Sequence, residues 1–153
     1  MKDRNAFLIV GLFLVLGCAV ASGQQSSLTG DWTGESICVG NNPGCHDEKV
    51  VYHISVDPAD PAKVKIAADK IVNGKLEWIG DIELKYDPGK QTLTGELQNS
   101  RYRGLWEFAV KGNAIEGSLT ILPDKSIGRR IRVTRKDPAQ RELTMTSHAT
   151  GTF

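Results

Sequence analysis

Apolar and polar residues alternate with a period of two along most of the chain after residue 30. Segment 50–57 is the clearest case, because Val50, Tyr52, Ile54 and Val56 occupy every second position. This period places successive side chains on opposite faces of a strand and predicts β-structure with one buried face. Similar segments recur along the chain, at residues 31–39, 49–57, 63–70, 75–86, 91–98, 104–111, 114–122 and 128–135.

The connections between these segments are short and contain turn-forming residues. Asn73-Gly74 suits a type I′ hairpin turn, and residues 87–89 read Asp-Pro-Gly. Such links make each strand antiparallel to the one before it, and no segment has the period of a helix that could cover an open sheet. The predicted fold is therefore all-β, a single eight-stranded antiparallel up-and-down (meander) β-barrel over residues 31–136. Glycines at mid-strand positions favour the strong curvature of a barrel; they are Gly34, Gly80, Gly95 and Gly117.

The alternation also predicts which side chains fill the barrel. The predicted interior consists of Trp32, Tyr52, Ile54, Val56, Val64, Ile66, Leu76, Trp78, Ile82, Leu93, Leu97, Ile115, Leu119, Ile131 and Val133. For the sixth strand two choices stay open, either Trp106, Phe108 and Val110 or Leu105 and Ala109.

Residues 1–23 have the layout of a secretory signal peptide. Lys2 and Arg4 precede an apolar run over 6–16, which is shorter than the roughly 20 residues of a membrane-spanning helix. Two cleavage patterns compete: residues 19–21 read Ala-Val-Ala, as signal peptidase requires, whereas residues 15–18 resemble a bacterial lipobox that would place a lipid on Cys18. Either pattern predicts an exported protein, periplasmic or secreted, or an outer-membrane lipoprotein.

Two further regions lie outside the predicted barrel, a tether over 24–30 and a polar, loosely ordered tail over 137–153. After Cys18, two cysteines remain, and an even pair in an exported chain predicts a disulfide between Cys38 and Cys45. The chain has 19 Lys+Arg and 18 Asp+Glu residues, so its charge gives no reason to bind nucleic acid or an anionic membrane surface. Contact with a membrane is therefore expected only through a lipid on Cys18, because an outward apolar band with aromatic girdles is also missing.

The first strand opens with Gly30-Asp31-Trp32. A G-x-W sequence at this place in an eight-stranded meander resembles the lipocalin and avidin-like barrels, the calycin group. The resemblance implies that Trp32 plugs a closed end of the barrel and that a basic residue of the last strand, Arg132 or Arg135, packs over it and binds backbone carbonyls. Segment 38–54 also resembles small exported bacterial proteins of unassigned function, which implies no activity.

With Trp32 at the closed end, the loops over 39–48, 71–74, 99–103 and 123–127 gather at the other end, which we call the mouth. The sequence predicts a narrow cavity that opens there and suits a slim amphipathic ligand with an anionic head. The expected ligand-binding residues are Tyr52, Trp78, Arg101, Tyr102 and Lys125.

Candidate catalytic chemistry is limited to a few residues. His46, Asp47 and Glu48 are ligand-type side chains, but consecutive strand residues face opposite sides and their spacing matches no known metal site. Arg129 falls on the same face as apolar Ile131, so it must find a partner there, cap the barrel or anchor a ligand. No catalytic motif is present, and we predict no catalytic residue, no cofactor and no metal site.

The sequence therefore favours a non-catalytic protein that binds a small apolar or amphipathic molecule inside a lipocalin-like barrel. The alternative is a protein-binding envelope barrel, an inhibitor or an accessory lipoprotein, that acts through its mouth loops.

Overall fold

The computed structural model describes residues 28–40, 43–100 and 102–136. The predicted signal peptide with Cys18, the polar tail and Arg101 lie outside the described residues, and those predictions stay predictions. The described strands are β1 (Gly30–Cys38), β2 (Glu48–Val56), β3 (Lys63–Val72), β4 (Lys75–Asp87), β5 (Thr92–Gln98), β6 (Arg103–Lys111), β7 (Ala114–Leu122) and β8 (Ser126–Arg135).

Each strand pairs with the next in antiparallel order, and β8 pairs with β1 to close the barrel. At the seam, Trp32 of β1 lies opposite Tyr52 of β2 on one side and Arg135 of β8 on the other. The predicted eight-stranded meander barrel is confirmed, with strand bounds within about two residues of those expected. Among the described residues, no helix has the length and apolar character needed to cross a membrane.

The barrel interior is an apolar core built from alternate residues of all eight strands. The face of β6 that the sequence left open is settled, because Trp106, Phe108 and Val110 are buried. Most of the predicted interior residues are in this core or packed against it. Its fully buried members are Leu28, Trp32, Val50, Ile66, Leu93, Ile115 and Val133.

The two ends of β4 present opposite faces to the interior because one extra residue lies between them. Consecutive residues of β3 pair with Gly80 and Trp78, which leaves Ile79 in a β-bulge. Gly80 has φ +153° at this point, a conformation that glycine adopts readily. Beyond the bulge, Trp78 is 69% exposed and Leu76 is 55% exposed. The prediction that Leu76 and Trp78 face the interior is therefore wrong, since a one-residue insertion exchanges the faces of a strand.

The packing of Phe108 explains one of the predicted mid-strand glycines. A Cβ on Gly117 would overlap the Glu107 carbonyl oxygen and the Phe108 ring of β6. The missing side chain at Gly117 therefore leaves the space that the buried Phe108 ring occupies beside it.

The end of the predicted tether belongs to the barrel. Leu28 is fully buried, and Gly30 is the first residue of β1. The predicted disulfide between Cys38, at the end of β1, and Cys45 is confirmed.

Candidate functional site

The closed end of the barrel is organised around Trp32. The Trp32 indole N–H donates to the Leu28 carbonyl at 2.9 Å, and the Arg135 guanidinium carbon lies 4.5 Å from the centre of the Trp32 ring. Arg135 Nη1 also donates to the Thr29 carbonyl at 2.8 Å. This end is therefore sealed by a cation–π contact and two hydrogen bonds to the backbone.

Arg132 does not take part in this plug. It lies on the outer face of β8, where 76% of its side chain is exposed and its Nε is 3.4 Å from Glu116. The strand period separates the two arginines: Arg135 lies three residues further on, and odd spacings reverse the face. The contact that the calycin resemblance implies is thus made by Arg135.

At the mouth half of the barrel lies a cavity of about 320 Å³. Its wall is shared between apolar or aromatic side chains and polar groups. Its lining residues are Ser36, Glu48, Tyr52, Ala68, Ile79, Gly80, Asp81, Ile82, Leu97, Asn99, Tyr102, Trp106, Leu119 and Arg129.

The polar side of the cavity is centred on Arg129. Its Nη1 lies 3.1 Å from Glu48 Oε2 and donates to Ser36 Oγ at 3.0 Å. Ser36 is 3% exposed, and the two charged side chains are about one-fifth exposed. Burial raises the pKa of the neighbouring Tyr52 phenol well above its ordinary value, an effect that Arg129 partly opposes, so Tyr52 stays neutral. Glu48 of β2 and Arg129 of β8 therefore form an ion pair across β1. This pair supplies the partner that the sequence predicted Arg129 to need.

Two stacked aromatic rings form another part of the interior wall. Trp106 and Phe108 have ring centres 5.6 Å apart and planes 9° from parallel. Trp106 lines the cavity, and its indole nitrogen is buried without a hydrogen-bond partner in the part of the chain that the structure describes. Buried indole N–H groups usually find an acceptor, so this donor is unusual.

The cavity reaches the surface where β4 and β5 separate. Within the described residues, β4 from Lys75 to Leu84 has ladder partners on β3 alone. Residues 79–82 of β4 line the cavity from one side of this gap, and Leu97 of β5 and Asn99, just after β5, line it from the other. The ladder between the two strands consists of the pairs Lys85–Thr94, Tyr86–Leu93 and Asp87–Thr92.

Two other depressions differ in character. One of about 280 Å³ lies beside the disulfide loop and shares Tyr102, Leu119 and Arg129 with the main cavity, so it extends the same site towards Cys45. The other, of about 710 Å³, lies at the closed half of the barrel among outward-facing charged residues, including Lys65 and Glu83 of β3 and β4. The interior cavity is the better candidate site, because it lies inside the barrel and the polar groups of Ser36, Glu48 and Arg129 converge there beside apolar side chains.

The structure brings together some of the predicted ligand-binding residues and separates others. Tyr52 and Tyr102 both line the cavity. Trp78 lies on the outer face beyond the bulge, and Lys125 is exposed in the β7–β8 turn, so neither is part of the lining. Arg101 is outside the described residues.

The side chains of His46, Asp47 and Glu48, which are of the types that bind metals, do not converge. Glu48 turns inward to Arg129, whereas Asp47 accepts a hydrogen bond from the Cys38 backbone N–H at 2.8 Å and His46 is exposed. No group of three or more histidine, cysteine, aspartate or glutamate side chains converges among the described residues.

The lining residues that sequence reasoning did not assign to the ligand site include Glu48 and Trp106. Arg129 gave a usable signal, because a charged residue on an apolar strand face needs a partner. The identity of that partner depended on the register across β1, which the alternation pattern does not encode. Trp106 belonged to the strand whose inner face the sequence left open.

No protein-family model matches the chain, and no curated protein does either. Among solved structures, a protein titled "Odorant Binding Protein OBP1" is similar over 80% of this chain and 82% of its own, with 12% identity and a TM-score of 0.44. At that level the similarity carries no argument, and the function is argued from the cavity.

Proposed function

We propose that this protein is an exported, non-catalytic binding protein that holds a small apolar or amphipathic molecule inside its barrel. The observation that carries the proposal is the interior cavity of about 320 Å³. Its size lies at the lower end of the roughly 300–1,000 Å³ typical of small-molecule pockets, and its wall joins apolar and aromatic side chains to polar groups that could orient a ligand.

Two features support the proposed export of the protein and the entry of a ligand at the mouth. The disulfide between Cys38 and Cys45 suits an oxidising compartment, as the predicted signal peptide requires. The packing of Arg135 over Trp32 is the arrangement that the calycin resemblance implies, and it leaves the mouth as the end at which a ligand enters.

A dye titration with a matched pair of variants tests the proposal. Ala68 is buried and lines the cavity, whereas its neighbour Ala67 lies on the opposite face of β3 and is absent from the lining. The wild type should enhance the fluorescence of N-phenyl-1-naphthylamine saturably, because the dye leaves water for an apolar wall. Ala68→Phe should abolish the enhancement by filling the cavity, and Ala67→Phe should leave it within about twofold.

Thermal melts of both variants show whether each is folded before its titration is interpreted. Equal dye binding by wild type and folded Ala68→Phe would contradict an interior site. Absence of any saturable signal from the wild type would contradict the proposal as a whole.

A second candidate function, protein binding, is favoured by the outer face of the β3–β4 hairpin. Ile71, Leu76 and Trp78 are exposed there beside the stretch of β4 that β5 leaves unpaired. Exposed apolar residues next to an open strand edge are features of protein-binding surfaces. Native mass spectrometry of the protein purified from its own host discriminates the two, since a small-molecule adduct supports the first candidate and a protein complex lost in Trp78→Ser supports the second.

A further inference from the structure

The Tyr52 hydroxyl faces the cavity without a hydrogen-bond partner. Tyr52 is 3% exposed and lines the cavity, and its hydroxyl makes no hydrogen bond within the described residues. The side-chain atoms of those residues that lack both a partner and accessible surface are Trp106 Nε1 and Arg135 Nη2, and the Tyr52 oxygen is not among them. The oxygen therefore keeps accessible surface, and because its side chain is buried inside the barrel, that surface opens into the cavity.

This hydroxyl lies near the ion pair at the mouth. Glu48 and Tyr52 are both on β2 and an even number of positions apart, so the two-residue period places both side chains on the inner face. Burial raises the pKa of Tyr52, and the charges of Arg129 and Glu48 also act on it, the first lowering it and the second raising it. The phenol is therefore neutral and close to both charges, and it can donate one hydrogen bond as well as accept.

The ion pair supplies an acceptor beside this donor. Arg129 Nη1 lies 3.1 Å from Glu48 Oε2, but a carboxylate offers roughly four acceptor sites, so Glu48 can accept a further hydrogen bond from a ligand in the cavity that it lines. A ligand carboxylate would meet the like charge of Glu48, and a ligand ammonium would meet that of Arg129. A hydroxyl avoids both repulsions and can donate and accept at the same time.

The rest of the wall suits a hydrocarbon body. Ala68, Ile82, Leu97 and Leu119 contribute apolar side chains to the lining. Covering such surface with hydrocarbon removes it from water, which is favourable. A ligand that satisfies both parts of the wall is apolar along most of its length and carries one small group that both donates and accepts.

We propose that the cavity takes apolar alcohols, with the Tyr52 hydroxyl donating to the ligand oxygen and Glu48 accepting from the ligand hydroxyl. This inference rests on the proposed function, because it names the class of ligand that the same cavity takes. It departs from the anionic head that the sequence predicts, since Arg129 of the lining already has an anionic partner.

Four probes of similar size separate the roles of donor, acceptor and charge: cumene, 1-phenylethanol, acetophenone and benzoate. Cumene neither donates nor accepts, acetophenone can only accept, and benzoate is an anion. Their affinities are measured by displacement of N-phenyl-1-naphthylamine. The wild type should bind 1-phenylethanol at least about 10-fold more tightly than acetophenone, because the alcohol alone can donate to a charged acceptor. It should prefer the alcohol to benzoate by at least about 10-fold as well, because benzoate brings a second anion close to Glu48.

A matched pair of tyrosine variants tests the donor. Tyr52→Phe keeps the ring and removes the hydroxyl, and Tyr86→Phe makes the same change at an equally buried tyrosine that is absent from the lining. Tyr52→Phe should weaken 1-phenylethanol by about 2- to 12-fold, the range of one neutral hydrogen bond, and should leave cumene within about twofold. Tyr86→Phe should leave both probes within about twofold. The melting temperature of empty Tyr52→Phe should not fall, because the hydroxyl has no partner in the described part of the empty protein.

Glu48→Gln tests the acceptor, because it removes the charge and keeps the shape of the side chain. The neutral amide is a weaker acceptor and leaves Arg129 without its anionic partner. The preference for 1-phenylethanol over acetophenone should fall by about threefold or more, and the affinity for benzoate should rise about 10-fold. Thermal melts show whether each variant is folded, and the comparison of the four probes on the wild type tests the proposal without any variant.

Several results would overturn this proposal. One is a loss in Tyr52→Phe that is equal for 1-phenylethanol and cumene, or absent for both. Others are wild-type affinity for acetophenone or benzoate that matches the alcohol, or a preference for the alcohol that Glu48→Gln leaves unchanged. Binding of the dye with no binding of any probe would also reject the ligand class while leaving the proposed function standing, whereas failure of the dye to bind rejects the proposed function itself.

Discussion

Replacement of Trp32 by alanine should destabilise the barrel strongly. The loss in unfolding free energy should be coupled to the loss caused by Arg135→Ala and independent of the loss caused by Arg132→Ala. Trp32 is fully buried, so its truncation is expected to cost about 3–5 kcal/mol. Arg135→Ala removes a cation–π contact of about 0.5–2 kcal/mol and a charged hydrogen bond to Thr29 of about 1.5–3 kcal/mol.

The size of the coupling follows from what the two side chains share. Only the cation–π contact joins Arg135 to the Trp32 ring directly, because their hydrogen bonds go to different carbonyls. The double variant should therefore be more stable than the sum of the single losses predicts, by about 0.5–2 kcal/mol. Arg132→Ala is the matched control on the same strand, and its exposed ion pair should cost no more than about 0.5 kcal/mol and add independently.

Urea unfolding followed by far-ultraviolet circular dichroism measures these free energies without relying on tryptophan fluorescence. Trp32→Phe provides a milder variant if Trp32→Ala does not fold, since it keeps a ring and removes the N–H. Losses for Trp32 and Arg135 that add to within about 0.3 kcal/mol would refute the plug. Coupling of Trp32 to Arg132 would also refute it.

Two further predictions concern features that the cavity does not use. On the outer face, His53 lies 2.8 Å from Asp31 and 3.0 Å from Asp69, and these hydrogen bonds, that of Asp31 foremost, raise its pKa above the ordinary 6.5. The contribution of His53 to stability is complete below pH 6.5 and is lost as the pH rises through its raised pKa. In urea melts, the stability advantage of the wild type over His53→Gln should therefore shrink between about pH 5.5 and pH 8.5. An advantage that is constant or grows would contradict this. Intact-mass analysis of folded, unreduced protein after alkylation should show no label on Cys38 or Cys45, and reduction should lower stability by about 2 kcal/mol; labelling of both cysteines would contradict the disulfide.

The strands and their order were predictable because one physical rule, the two-residue period, acts on each segment separately. Short turns then left antiparallel neighbours as the simplest arrangement, and the absence of a helical period required the sheet to close on itself. Apart from Leu76 and Trp78, the predicted interior residues followed from the same rule. This part of the fold needed no knowledge of which residues meet across strands.

The bulge at Ile79 could not be read from the pattern, since Leu76 and Trp78 continue the same alternation as Ile82 on its other side. One inserted residue moved Trp78 out of the expected ligand site. The ion pair between Glu48 and Arg129 was hidden for a related reason, because it depends on the registers that join β2 and β8 to β1. The sequence therefore predicted the barrel better than the residues that line its cavity.

A crystal structure of the protein grown with N-phenyl-1-naphthylamine tests the central claim most directly. The account predicts dye density inside the barrel, against Tyr52 and Trp106, with Arg129 still paired to Glu48. Density confined to the outer hairpin beside Trp78, above an interior filled by the protein's own side chains, would contradict it and make the protein-binding surface the better explanation of this fold.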